Sequence, residues 1–520
     1  MIRRQRAASH PRPQREDLPP GDRARLPRRP LATGLLLVAL SAVALYHQIK
    51  PLPEGLALAG PERPLLAPRL LIDRTWMDGK GATRTDHIIF DEILGLIGQA
   101  RQLVVVDMFL FNDSGAAGTG FRPLARQLTD ALLARHRTVP GIRLLVISDP
   151  FNSLYNGSRS PYFEELRAAG IPVVETPLAP LRDSNPLWST PWRLCCQWFG
   201  NDPDGGWLPS PVSDDRVPLR SYLALLNFKA NHRKTLVVDT PTGLRGLVSS
   251  ANPHDGSSRH SNIALAFEGP AALDLLRSEL AVATLAGVHL PLPPLAITSL
   301  VTRDPPPPGQ PGAAPQAPLP AHSGETVRIL TEGAIGDAAL ALIEGAGPGS
   351  RVDLAMFYLA HRGIIEALVR AKGRGAAVRV LLDANKDAFG REKDGVPNRP
   401  VAAELQRAGI PVRFANTHGE QFHSKVLMRR DGHGTWQFLL GSANFTRRNL
   451  DNFNLETNVL VSGPQPTALI RALAGQFGQI WRLGPNTAIT LSLPYESYRD
   501  ESPLTYWRYR LMEATGMSTF

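Results

Sequence analysis

Two histidines stand two residues ahead of two lysines at distant points of the chain: His232 and Lys234 in NHRKTLVVD, His423 and Lys425 in FHSKVLMRRD. Lysine is scarce here, with only 8 among 57 basic residues, so 49 are arginine. On a strand His232, Lys234 and Leu236 share one face, because side chains alternate. A neutral imidazole is a nucleophile and a protonated one a general acid. An ammonium beside it holds an anion and depresses histidine protonation. This set suits attack on a phosphoryl group. One histidine attacks but cannot also protonate the leaving oxygen from the opposite side; a second copy can. Downstream lie Ser250-Ala251-Asn252 and Ser442-Ala443-Asn444. Asn donates hydrogen bonds to phosphate oxygens, and Ser does so or orients a neighbour. Asp239 and Asp431 each precede their serine by 11 residues. A lone His-x-Lys reads as a strand histidine satisfied by its neighbours. Two copies with the same downstream spacing read as a site.

The elements around these residues also repeat. LVVVDMFLF (103–111) answers RVDLAMFYL (351–359), GIRLLVIS (141–148) answers AVRVLLDA (377–384), and LRAAGIPV (166–173) answers LQRAGIPV (405–412). Short β-rich runs alternate with helical stretches such as AALALIEGA and GIIEALVRA. That alternation predicts α/β layers on a mainly parallel sheet. The chain reads as a duplication: a first half over 63–290, a proline-rich linker over 291–323, a second half over 324–485 and an aromatic tail over 486–520. The tail is expected to pack on the body.

The halves differ in one long excursion. Val173–Asn231 takes 59 residues where Val412–Phe422 takes 11, and it holds Trp188, Trp192, Trp198 and Trp207, four of the eight tryptophans. Loops of this length are commonly lids or binding loops, and tryptophan favours lipid interfaces; the other reading is a packed surface excursion. The two cysteines, Cys195 and Cys196, are adjacent. Disulfide geometry favours well-separated partners, so they are expected as small packing residues. No zinc-type spacing occurs, and no metal or cofactor is expected.

The net charge of +10 is mostly a tail: nine Arg against Glu16, Asp17 and Asp22 give +6 over residues 1–30, leaving +4 for the other 490. A near-neutral body argues against a nucleic-acid partner. The arginines lead into LATGLLLVALSAVALY (31–46), an uncharged apolar run. Its length lies between a signal core and a full span. An uncleaved anchor is favoured over a cleaved signal, with the arginines in the cytoplasm and the body outside. Residues 1–62 thus read as a basic leader and an N-terminal membrane anchor or signal.

HRKTLVVD…GLVSSAN and HSKVLMRRD…LLGSAN resemble the paired H-x-K-x4-D and G-S-x-N motifs of the phospholipase D superfamily, and NFKANHRKTLVVD looks most like its cardiolipin synthase-like lipid enzymes. The resemblance spans roughly residues 65–485. It implies two α/β sandwich halves meeting at one pseudo-two-fold site, with His232 and His423 facing each other across a phosphodiester. One histidine would form a phosphohistidine and the other would protonate the departing alcohol. Lys234, Lys425, Asn252 and Asn444 would hold phosphate oxygens, with Asp239 and Asp431 completing the motifs and Ser250 and Ser442 orienting. No cofactor is implied. Two departures stand out. Five residues, not four, separate Lys425 from Asp431, which predicts a bulge in that strand. Aligning SNIALAFEG with LETNVLVSG places Glu456 where the family puts an acid that orients the histidine of its own half, and Asn262 in the first half. His423 is then expected to be the more basic imidazole. The implied partners are phospholipid and a membrane surface, with water or an alcohol as acceptor. A nuclease of the same superfamily and a non-catalytic lipid-binding scaffold are the competing readings. Oligomeric state is open.

Overall fold

The computed structural model describes residues 28–115, 120–210, 213, 215–291, 324–388, 391–464, 466–484, 489–518 and 520. Most of the basic leader and nearly all of the proline-rich linker lie outside them.

Helix α1 (Arg28–Ile49) carries the apolar run. It is long and apolar enough to cross a membrane by length and composition. The first half then builds β1 (Leu66–Asp73), α2 (Ile88–Gln99), β2 (Leu103–Met108), α3 (Leu124–Thr138), β3 (Arg143–Ser148), α4 (Pro161–Ala168) and β4 (Val173–Glu175). The excursion supplies α5 (Pro186–Cys195) and α6 (Leu219–Leu225), and the half closes with β5 (Lys234–Thr240), β6 (Gly243–Ser249), β7 (Asn262–Glu268) and α7 (Pro270–Leu285). The second half runs β8 (Thr326–Thr331), α8 (Gly333–Glu344), β9 (Arg351–Met356), α9 (Arg362–Gly373), β10 (Ala377–Leu382), α10 (Asn398–Arg407), β11 (Val412–Ala415), β12 (Val426–Arg430), β13 (Trp436–Gly441), a short α11 (Arg447–Leu450), β14 (Thr457–Gly463) and α12 (Ala468–Arg482). The tail adds β15 (Ser492–Pro494) and α13 (Pro503–Thr515).

The two main sheets share one strand order. The first is β1-β7-β6-β5-β2-β3-β4; the second runs β8-β14-β13-β12-β9-β10-β11 and gains Arg63–Pro64 and β15 at its edges. Only β2, β3 and β4, and likewise β9, β10 and β11, are parallel. The rest pair antiparallel. The sheets are therefore mixed, not mainly parallel. In each half the strands after the parallel set run antiparallel, and β5–β6 and β12–β13 are joined by short hairpin turns, whereas parallel neighbours need a crossover.

Strands such as LVVVDM are buried along their whole length. Val104 and Val106 pack outward with α2 and α3, while Leu103 and Val105 face inward. The inner faces of both sheets, with α7 and α12 between them, make one shared core. Strands buried on both faces read as continuous apolar runs, as these do. Arg233, fully buried, braces the same interface. It pairs with Glu279 of α7 at 3.4 Å and with Glu332, just before α8, at 2.7 Å.

Other expectations need revision. Cys195 and Cys196 are joined to each other at the end of α5. Cys195 is exposed, so the pair is not core packing. The chain leaves helical geometry at Cys196 (φ −130°, ψ −23°), which turns the two side chains toward each other. In the tail Tyr495 and Tyr509 pack on the second half, but Trp507 is exposed. Replacing Arg233 by Ala leaves two buried carboxylates without their cation. That change is expected to cost about 3–5 kcal/mol, read as a lowered denaturant midpoint.

Candidate active site

Each histidine lies in the extended segment just before its strand, and each segment is held by the other half. His232 N–H donates to Leu455 O at 2.8 Å, and Leu455 N–H donates to Ala230 O at 3.0 Å. The mirror pair is His423 N–H to Ser261 O at 2.9 Å and Ser261 N–H to Gln421 O at 3.0 Å. Side chains repeat the pattern. Asn454 Oδ1 accepts Ala230 N–H at 3.0 Å, and His260 Nδ1 accepts Gln421 N–H at 3.2 Å. Asp149 and Asp383 each accept the N–H of the residue before a histidine, both at 2.7 Å.

These parallel bridges place Glu456 beside His232 and Asn262 beside His423. His232 Nδ1 lies 2.8 Å from Glu456 Oε1 and 3.0 Å from Oε2. His423 Nδ1 lies 3.1 Å from Asn262 Oδ1. The sequence alignment expected Glu456 to serve His423; the structure crosses the partners. The reason is the bridge: Leu455 pairs across the interface at Asn231, so the next residue on each chain meets the other. In both pairs the oxygen accepts, so Nδ1 carries the proton and Nε2 is the reactive nitrogen.

The serines orient these partners. Ser442 Oγ donates to Glu456 Oε2 at 2.5 Å, and Ser250 Oγ donates to Asn262 Oδ1 at 2.8 Å. Asn449 also donates to Glu456, and Asn262 donates to His260 O at 3.1 Å. Lys234 Nζ donates to His232 O at 2.6 Å and Lys425 Nζ to His423 O at 2.7 Å. Each ammonium keeps two more donors for a ligand. Asn252 Oδ1 has a long contact with Leu110 N–H, 3.4 Å. Asn444 Oδ1 is buried and has no hydrogen-bond partner among the described residues.

Two further residues belong here that sequence reasoning did not select, Phe109 and Phe357. Their rings lie 4.8 Å from His232 and 4.9 Å from His423, centroid to centroid. Each lies under a lysine, at 5.0 Å from Lys234 and 5.2 Å from Lys425. The repeated DMF and AMF segments carried that signal. Each ring thus packs against both the histidine and the lysine of its own half.

Asp239 and Asp431 lie elsewhere. Asp239 Oδ1 accepts the N–H groups of Arg101, Gln102 and Leu103 at 3.0, 2.8 and 2.7 Å, fixing the entry into β2. Asp431 shapes its own hairpin turn, accepting from His433 and Thr435 N–H at 2.9 and 2.8 Å. The expected bulge is absent, since β12 pairs with β13 without a register shift. The extra residue lengthens the turn, and Arg430 occupies the strand position that Asp239 holds in the first half.

Burial dominates the electrostatics. It pushes the His232 imidazole down to about 4, against the opposing pull of Glu456. Burial and then Lys425 hold His423 well below its ordinary value. Burial lowers Lys234 to about 7 and Lys425 well below the ordinary range. Burial would raise the Glu456 carboxyl, but His232 and Lys234 outweigh it and hold it below the usual range. An anion held among these groups would favour their protonated forms. No group of three His, Cys, Asp or Glu is placed to hold a metal ion among the described residues.

Residues 339–481 match the family described as cardiolipin synthase, PLD-like domain. Over those residues, which lie in the second half, the chain is similar to the phospholipase D-like domain of that family. No protein of curated function matches the sequence. Among solved structures, phosphatidylserine synthase from Haemophilus influenzae Rd KW20 shares the phospholipase D fold at TM-score 0.53 and 11% identity, over 92% of this chain and 98% of that one. A phospholipase D family member, Nuc from Salmonella typhimurium, is 23% identical over 30% of this chain and 94% of its own, at TM-score 0.24.

Two measurements follow from this geometry. Asp239→Ala is expected to lose about 1–3 kcal/mol of stability as three N–H groups lose their acceptor, and Asp431→Ala less than about 0.5 kcal/mol, both read by denaturant titration. Tungstate, a phosphate mimic, is expected to bind more weakly as pH rises through 7, where free Lys234 gives up its proton. Calorimetry on wild type and Lys234→Met checks this; a flat profile in wild type contradicts it.

Proposed function

We propose that the protein is a phospholipid phosphodiesterase that works through a phosphohistidine and passes the phosphatidyl group to water or an alcohol. The observation that carries this is the pair of buried imidazoles with unequal partners, a carboxylate on His232 and an amide oxygen on His423. The match to a cardiolipin synthase domain supports a lipid substrate.

The partners divide the roles. Phosphorylation of Nε2 leaves a cationic ring, and the Glu456 carboxylate stabilises that cation, so His232 is the nucleophile. Asn262 orients His423 without holding a charge, so protonated His423 releases its proton readily. In the first step His232 Nε2 bonds to phosphorus, the bond from phosphorus to the head-group oxygen breaks, and His423 Nε2–H protonates that oxygen. In the second step neutral His423 takes a proton from water or an alcohol, whose oxygen displaces His232. Lys234, Lys425, Asn252 and Asn444 hold the non-bridging oxygens. Water exclusion and pocket shape select the acceptor. On this reading α1 is an uncleaved anchor, the arginine-rich leader faces the cytoplasm and the catalytic body works on the periplasmic side.

The test is turnover by the full chain in vesicles of phosphatidylglycerol and phosphatidylethanolamine, with EDTA, with and without glycerol. Phosphatidate or a phosphatidyl alcohol is expected, and is expected to vanish in His232→Ala and in His423→Ala. Glu456→Gln should lower kcat by about 10²-fold or more, as a misoriented acid–base group does. Absence of any lipid product, with cleavage of DNA instead, would overturn the lipid reading.

A further inference from the structure

Exposed apolar side chains concentrate around the excursion and the tail. On α5, Leu187 and Leu194 are 66% and 53% exposed, and Pro191 is exposed between them. Spaced by four and three residues, they form one stripe along the helix. The turn after α5 exposes Trp198 at 75% and Phe199 at 67%. A second stripe lies on α13, where Leu504, Trp507 and Leu511 are 80%, 66% and 64% exposed. Single exposed apolar residues are ordinary; stripes on adjoining elements mark an interaction surface.

The elements adjoin. Helix α13 ends at Gly516 in the left-handed region (φ +73°), so close to the start of α5 that a β-carbon there would stand 1.7 Å from Ser184 O. Helix α5 in turn packs against α1. The α1 face bearing Leu40, Val43, Ala44 and His47 is partly covered, while Leu35, Leu36 and Val38 stay exposed. Asp183 N–H donates to His47 O at 2.9 Å, and Arg182 Nε donates to Lys50 O at 2.7 Å. Asp183 is itself fixed by Arg193 at 2.7 Å and Lys229 at 2.6 Å. The exit of α1 is therefore riveted to the excursion. Leu40 lies nine residues before Ile49, about 14 Å along a helix, so the covered face reaches well below the end of α1.

We infer that α5, the Trp198–Phe199 turn and α13 form a platform that lies in the interface of the leaflet where α1 ends, docking the catalytic body on a phospholipid surface. The inference rests on the reading of α1 as an anchor and of phospholipid as substrate. An element packed along the lower flank of a membrane-spanning helix is at head-group and upper acyl depth. The outward side chains there are apolar, with tryptophans of the kind that settle at that depth. The segments that carry the platform also lead to the site from both halves. The excursion returns through Ala230, two residues before His232. Past α13, Arg448 donates to Ser518, and Phe520 lies 6.1 Å from Tyr358, the neighbour of Phe357.

The test uses the full chain in phosphatidylglycerol–phosphatidylcholine vesicles whose acyl chains are brominated near the head group. Bromine is expected to quench the emission of Trp198 and Trp507, so most of the quenchable signal should be lost in Trp198→Phe/Trp507→Phe and retained in Trp436→Phe. Quenching that the double variant leaves unchanged would overturn the platform. Leu504→Ser/Leu511→Ser should lower turnover of vesicle lipid by roughly tenfold and leave hydrolysis of bis(p-nitrophenyl) phosphate unchanged; equal rates on vesicle lipid would also overturn it. Quenching reports on docking without turnover. Loss of all hydrolysis with quenching intact would therefore strike the functional reading and leave the platform standing.

Discussion

Each histidine of this protein is held by the half to which it does not belong. Its backbone pairs with a residue of the opposite half, and its Nδ1–H is held by the next residue along. The likeness of the two half-sites in sequence is secondary to this crossing, because neither half contains a complete site. The shared core between the sheets, with Arg233 buried among carboxylates of α7 and the start of α8, keeps the halves in the one relation that allows it. A slip of one residue in either bridge would turn Glu456 or Asn262 away from its imidazole.

The crossing also makes the site asymmetric. Glu456 collects Ser442, Asn449 and His232, whereas Asn262 offers His423 a neutral oxygen. Two imidazoles with similar burial thereby acquire different affinities for positive charge, the difference on which the proposed division of roles rests. Two buried lysines flank them, their proton affinity depressed by burial.

Much of this is legible in the amino-acid sequence alone. The paired His-x-Lys segments, the serines and asparagines, and the repeated strand motifs point to two like halves and to the α/β class, since hydrophobic runs and spacing are local properties. What escapes such a reading is non-local. Nothing near Glu456 in the chain tells which imidazole it will meet; that depends on a bridge between residues more than two hundred positions apart. Asp239 and Asp431 group with the histidines by motif, yet they serve turns and strand entries, because the strand carries them away from its catalytic end. The extra residue before Asp431 suggests a bulge, although a hairpin turn absorbs it at less cost. Phe109 and Phe357 do not stand out, because an aromatic at the end of an apolar strand reads as core. The mixed sheets stay hidden because hairpin returns and crossovers leave similar runs in the sequence.

The crossing is best tested by nitrogen-15 spectra of histidine-labelled protein, which report the tautomer and protonation of each ring. Glu456→Gln is predicted to move the resonances of His232 and leave those of His423 in place, and Asn262→Asp to do the reverse. If Glu456→Gln instead moves His423, each half orients its own histidine and the crossing does not exist.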